Sequence, residues 1–169
     1  MYSVTRRIEC DIGHRIHNHA SQCKNIHGHR YVIEATCTSN LLIEDGDSQG
    51  MVIDFAFLKD EMMKTIHDPC DHGLILARND PLRPFLLMRR VIPSSETKCK
   101  EANGEGWQLT QTDFGKLYVI NASPTAEVLA EHWYTRLRPR IKFRSDGKAQ
   151  LEYVKVWETP NCSAIYPFS

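Results

Sequence analysis

Even-numbered positions near the start of the chain, Tyr2, Val4, Ile8, Cys10 and Ile12, are apolar, and most of their odd-numbered neighbours are polar or charged. A period of two is the mark of a strand with one buried face. Only Arg6 breaks it, and His14 continues the same parity. Tyr31, Ile33, Ala35 and Cys37 alternate with Glu34, Thr36 and Thr38 in a second strand, whose upstream continuation on the apolar side is His29 and His27. Helical spacing follows at Phe55, Leu58, Met62 and Ile66, with Asp54 placed to cap the helix. A second helix is predicted through Ala126, Leu129, Ala130, Trp133 and Leu137, with Ser123 as its cap, Pro124 in its first turn and Pro139 at its end. Residues 151–158 form a last strand, with Tyr153 and Trp157 on one face and Val154, Val156 and Glu158 on the other. Between the helices, residues 84–92 and 107–120 read as strands around a polar loop, a hairpin inserted at about residues 78–121. This order predicts a single α+β domain over residues 1–169, with two helices on one face of an antiparallel sheet.

The composition, 41% hydrophobic and 25% charged over 169 residues, suits an ordinary soluble domain. Twenty-one basic and 21 acidic side chains cancel, which removes the electrostatic case for a nucleic-acid or anionic-membrane partner. No apolar run approaches the roughly 20 residues that span a bilayer, and the first residues lack the apolar core of a signal peptide, so a cytoplasmic protein is expected. The six cysteines show no CxxC pair and are expected to be reduced thiols.

Five of the eight histidines fall between residues 14 and 29. In a strand, His27 and His29 project to the same side about 7 Å apart, while Gly28 leaves the other side clear. Together with His14 they offer three neutral nitrogen donors, the ligand set of a catalytic zinc whose fourth position stays open. His17 and His19 form a competing pair, but no apolar alternation imposes strand geometry on them, and they read as loop residues. Cys23 leaves two possibilities open. It could close the site as a fourth ligand of a structural zinc, or it could serve as base or nucleophile with a thiol pKa lowered by a neighbouring metal.

Asp71 and His72 place a carboxylate beside an imidazole in a turn, as do His67 and Asp68. Sequence neighbours rarely bond to each other in a triad, yet both can reach a common site. Glu127 sits in the first turn of the second helix, where the helix dipole alone would explain it. Glu158 ends a strand on an apolar face and needs donors to offset its desolvation; a ligand with two adjacent N–H groups would supply them.

Taken in order, His14, Cys23-xxx-His27-Gly28-His29, Gly50-Met51-Val52-Ile53-Asp54-Phe55, Asp71-His72, Pro124-Thr125-Ala126-Glu127, Glu158-Thr159 and Ala164-Ile165-Tyr166 resemble the 6-pyruvoyltetrahydropterin synthase and 6-carboxytetrahydropterin synthase family over nearly the whole chain. Two stretches depart from it: Cys10-Asp11-Ile12-Gly13 replaces an aromatic and two small residues, and region 78–121 is longer than in compact members. The resemblance implies the tunnelling fold, a four-stranded antiparallel sheet with two helices, assembled as a homohexamer with active sites at subunit interfaces. It implies zinc on His14, His27 and His29, a pterin substrate bound by Glu127 and Glu158 with Thr125 nearby, Cys23 as general base, and Asp71 with His72 completing a proton relay. It further implies conversion of 7,8-dihydroneopterin triphosphate to 6-carboxytetrahydropterin, acetaldehyde and triphosphate, on the route to queuosine and other 7-deazaguanines. The pyruvoyl reaction, elimination of triphosphate toward a tetrahydrobiopterin-type product, is the alternative. The three-residue interval between Cys23 and His27 resembles the bacterial carboxytetrahydropterin enzymes more than the animal pyruvoyl ones. A non-catalytic zinc-stabilised module and a cysteine hydrolase built on Cys23, His72 and Asp71 explain fewer of these residues.

Overall fold

The computed structural model describes residues 1–88, 100–101 and 106–168. In chain order the elements are β1 (Tyr2–His14), a 3-10 turn (Gln22–Lys24), β2 (His27–Ser39), α1 (Phe55–Met62), a π turn (Met63–His67), α2 (Asp68–Cys70), β3 (Gly73–Ala77), α3 (Arg83–Leu87), β4 (Lys100–Glu101), β5 (Trp107–Thr112), β6 (Gly115–Ile120), α4 (Ala126–Arg144), β7 (Gln150–Thr159) and β8 (Cys162–Tyr166). The chain divides into two compact units, one of Met1–Cys10, Tyr31–Asp68 and Ala126–Ser169, the other of Asp11–Arg30 and Pro69–Thr125. None of the helices among the described residues is long and apolar enough to cross a membrane.

In the first unit β2 pairs antiparallel with β7, and β7 with β8. The alternation seen in the sequence is the burial pattern: Tyr31, Ile33, Ala35 and Cys37 are fully buried, opposite Leu151, Val154 and Val156. A register shift between Thr36 and Cys37 turns both of those side chains inward. Burial pushes the Cys37 thiol up to about 12, so it packs as a small inert hydrophobe. Helix α4 lies against β7 and β8, and α1 against α4. Leu58, Met62 and Ile66 are buried from one side, and Leu129, Trp133, Leu137 and Ile141 from the other. Asp54 caps α1 as expected, accepting from the Ala56 N–H at 2.6 Å.

Two expectations about the second long helix are corrected. It begins at Ala126, after Ser123 and Pro124, and it runs through Pro139 to Arg144. Pro139 is exposed and removes a single backbone donor. Beyond it, buried Ile141 and the charged pairs of Arg140 (2.5 Å) and Arg144 with the buried Glu61 hold the last turns in place. Burial alone would raise the Glu61 pKa, but the two guanidinium partners outweigh it and hold the carboxyl below its ordinary value.

In the second unit β3 lies between the end of β1 and β6, parallel to both. Its register against β1 is Ile12 with Gly73, Gly13 with Leu74 and His14 with Ile75. The sheet is therefore mixed rather than purely antiparallel, within the α+β class that was expected. The hairpin differs from the expected one: residues 107–120, read as a single strand, are themselves two strands, β5 and β6, turning at Asp113 and Phe114, with β4 pairing antiparallel to β5. Residues 83–87 are helical instead of extended. Pro84 suits a helix's first turn, and Leu82, Leu86 and Leu87 then cover Leu76, Leu117 and Val119. The remainder of the expected strand, residues 89–92, and most of the polar loop fall outside the described residues. The insert closes on itself at its neck, where the Arg78 N–H donates to the Ile120 carbonyl (2.7 Å) and the Arg78 Nε to Asn121 Oδ1 (2.8 Å).

Candidate metal centre

β1 and β2 carry His14, His27 and His29 into one cluster within the second unit. Their rings lie 4.4 Å (His14–His27), 5.2 Å (His14–His29) and 5.0 Å (His27–His29) apart, centroid to centroid. The potential ligand atoms all lie within 4.8 Å of one another. The strands approach closely at Gly28: a Cβ there would stand 3.0 Å from the Ile12 carbonyl oxygen, so β1 would have to give by a few tenths of an ångström. A glycine between two inward histidines thus suits the close approach of β1 as well as β2.

Two of the rings have their Nδ1 hydrogen placed by backbone. His14, 2% exposed, donates from Nδ1 to the Pro124 carbonyl at 2.9 Å, and His27 donates from Nδ1 to the Asn25 carbonyl at 2.9 Å. Carbonyls only accept, so the hydrogen sits on Nδ1 and the Nε2 lone pair is left for a metal. Neutral imidazoles held this way are suited to a divalent transition ion. The ligand group comprises the three histidines without Cys23, which gives the closed Cys-plus-three-His site no geometric support. Cys23 lies in the 3-10 turn, half-buried, and its carbonyl accepts from the Ile16 N–H at 2.8 Å, tying the turn to the chain just after His14.

Asp71 and His72 do bond to each other, contrary to the expectation for sequence neighbours: His72 Nδ1 donates to Asp71 Oδ2 at 2.8 Å. The reason is the backbone at His72, whose φ of 53° is left-handed and folds the ring back over the preceding residue. Asp11 fixes the pair through its backbone, with its N–H on Asp71 Oδ1 (2.9 Å) and its carbonyl accepting from the His72 N–H (2.8 Å). Its own carboxylate pairs with Arg30 at 3.0 and 3.1 Å, and the Arg30 hydrogen bond holds the Asp11 pKa below its ordinary value.

A second anchor follows His14. Arg15 forks onto Asp80 at 2.8 and 2.6 Å, and the Leu82 N–H adds a third bond at 2.8 Å. The Asp80 side chain is fully buried. Burial would raise its pKa, yet the Arg15 bonds and the Leu82 N–H together hold it below the usual carboxylate range. His17 stands 3.9 Å from the same carboxylate, and His19 Nδ1 accepts from the Ser21 N–H; both sit in irregular backbone, as expected for loop residues.

The three residues expected at a pterin site are distributed between the units. Thr125 belongs to the second, just before α4, with its N–H on the Ser123 carbonyl (2.8 Å). Glu127 is exposed in the first turn of α4, and Glu158 ends β7, where the Tyr31 hydroxyl donates to its Oε1 at 3.0 Å; both belong to the first unit. Sequence reasoning missed the carbonyls of Pro124 and Asn25, Asp80 with Arg15, and Tyr31. Only Tyr31 had a signal, being an inward-facing polar aromatic on the strand that carries the histidines.

The family model for 6-pyruvoyl tetrahydropterin synthase matches residues 3–167. A protein of Rickettsia felis named 6-carboxy-5,6,7,8-tetrahydropterin synthase is 35% identical over 96% of this chain and 97% of its own length. One of the same name from Aquifex aeolicus is 31% identical over 86% of this chain and 76% of its own length. Among solved structures, an uncharacterised protein of Wolinella succinogenes superposes with a TM-score of 0.72 at 23% identity, covering 97% of this chain and 96% of the other. The 6-pyruvoyl tetrahydropterin synthase of Caenorhabditis elegans gives 0.60 at 20% identity, covering 99% and 96%. These likenesses establish the tunnelling fold, and with the full-length match they show that the chain belongs to the 6-pyruvoyl tetrahydropterin synthase family.

Proposed function

We propose that the protein is a zinc-dependent 6-carboxy-5,6,7,8-tetrahydropterin synthase, a lyase that converts 7,8-dihydroneopterin triphosphate and water to 6-carboxytetrahydropterin, acetaldehyde and triphosphate, feeding 7-deazaguanine and queuosine synthesis. The observation that carries this reading is the convergence of His14, His27 and His29, two of them with Nδ1–H held on carbonyls and Nε2 directed away from those bonds. Zinc bound there would supply Lewis-acid chemistry, lowering the pKa of a coordinated hydroxyl. Cys23 is the general base that takes a proton from the substrate's side chain. Asp71 holds the Nδ1 hydrogen of His72, so the outer nitrogen of the ring is the one that exchanges protons. Glu158, steadied by Tyr31, accepts the paired N–H groups of the pterin's aminopyrimidine edge, a charge-assisted bidentate contact; Glu127 and Thr125 complete the pterin site. The working form is a homohexamer.

The carboxy product is favoured over the pyruvoyl one by the names of the relatives at 31% and 35% identity and by the short interval from Cys23 to His27. Dialysis against a chelator, followed by zinc titration, tests the metal: turnover should vanish and return as each chain regains a single zinc. Full turnover in verified metal-free protein would overturn the zinc requirement.

A further inference from the structure

His14 is the last residue of β1, and only three residue pairs fix β1 against β3. The other side of β1 pairs with β2, which carries the other two ligands, so the β3 side is where the end of β1 at His14 depends on contacts beyond the ladder. Contacts at both ends of the β1–β3 pairing hold that strand end. At one end the backbone of Asp11 holds Asp71 and His72. At the other, Arg15 grips Asp80, three residues past the end of β3.

Asp80 lies within the 78–121 insert, and the neck of that insert is closed by Arg78 on Ile120 and Asn121. Just past the neck, Pro124 accepts the His14 Nδ1 hydrogen. The insert therefore meets the metal ligand at both of its ends, through the neighbour of His14 at its start and through the His14 ring after its finish. A fully buried carboxylate satisfied by a bidentate guanidinium and a backbone N–H is also a rigid partner, because leaving either charge unpaired is costly.

We propose that Asp80, acting through Arg15, is a positioning residue for His14, so that the neck of the insert is part of the frame holding the metal ligands. This rests on the three-histidine metal reading. The role gives the longer 78–121 region a task at the centre of the site, and it predicts that geometry at the metal responds to a pair that touches neither metal nor substrate.

The test uses the full-length chain with Arg15→Met and Asp80→Asn combined. No charge is left unpaired, and the new amide side chain keeps an oxygen for the Leu82 N–H. Metal-free double variant should unfold cooperatively, while its zinc dissociation constant, measured by chelator competition, rises about 10- to 100-fold. The visible d–d bands of its cobalt form should shift from those of the wild type. A folded double variant with wild-type zinc affinity and an unchanged cobalt spectrum overturns the proposal. Should that variant fail to fold, Arg15→Lys keeps the charge and loses the fork; a shifted cobalt spectrum supports the role and an unchanged one overturns it. Wild-type protein that gives no cobalt spectrum defeats the metal reading itself, and the positioning role falls with it, whereas a normal wild-type spectrum shared by the variants defeats only the positioning role.

Discussion

Replacing Asp71 by Asn separates catalysis from folding at a single atom. The carboxylate accepts from the Asp11 N–H at Oδ1 and from the His72 Nδ1–H at Oδ2. An amide keeps one oxygen, which can stay on the Asp11 N–H, and turns an NH2 toward His72. Two donors cannot face each other, so the ring must either move its hydrogen to Nε2 or lose its anchor. The stability cost is small because the His72 side chain is 77% exposed, and pairs so open to water contribute about 1 kcal/mol or less. The catalytic cost is larger, since a correctly protonated acid–base group is worth about 10²- to 10⁴-fold. Zinc should be retained, because the Nδ1 hydrogens of His14 and His27 rest on Pro124 and Asn25. Three measurements on one preparation decide the matter: a denaturant melt, zinc per chain, and the rate of acetaldehyde release. The expectation is a near-normal melt, full zinc, and turnover reduced by about 100-fold or more. Near-wild-type turnover in folded, zinc-loaded Asp71→Asn would refute the relay.

Cys23→Ala should fold and hold its metal while losing about 10²-fold or more in turnover, checked by steady-state rates on zinc-replete protein. Glu158→Gln should weaken dihydropterin binding more than folding, since Tyr31 can still donate to the amide oxygen while one acceptor facing the ligand becomes a donor; isothermal titration against a dihydropterin reads the difference. His132 supplies a pH dependence. Burial, aided by the Arg136 charge, lowers its pKa from 6.5 to about 4, so between those values the unfolded chain binds a proton that the folded one refuses. Stability should therefore fall as pH drops through this window, by roughly 3 kcal/mol in all, and His132→Gln should flatten the slope seen in urea melts. Light scattering checks the proposed hexamer, which a monomeric mass at full activity would contradict.

The sequence made β1 and β2 legible because each buries one face, and the histidines were legible because they continue that parity. β3 was not, since in Gly73-Leu74-Ile75-Leu76-Ala77 the consecutive Ile75, Leu76 and Ala77 are all buried, and a strand covered on both faces shows no alternation. α3 was read as extended for a different reason: five residues are too few to display a helical period, and only Leu82, Leu86 and Leu87 closing over Leu76, Leu117 and Val119 decide it. Pro139 misled because local preference yields to the buried Ile141 and the Glu61 pairs beyond it. Within the site, residue types were readable but their orientation was not. The acceptors that set the His14 and His27 hydrogens are backbone carbonyls, which every residue carries and no motif records. Asp80 had no pattern pointing to Arg15, 65 positions away.

The identity of the products formed from 7,8-dihydroneopterin triphosphate by zinc-loaded enzyme bears most directly on the proposed reaction. Trapping the volatile aldehyde while resolving the pterins by chromatography should give acetaldehyde and 6-carboxytetrahydropterin in equal amounts, with triphosphate released. Pyruvoyltetrahydropterin accumulating without acetaldehyde would contradict the carboxy assignment, and unchanged substrate in the presence of a fully loaded metal centre would contradict catalysis altogether.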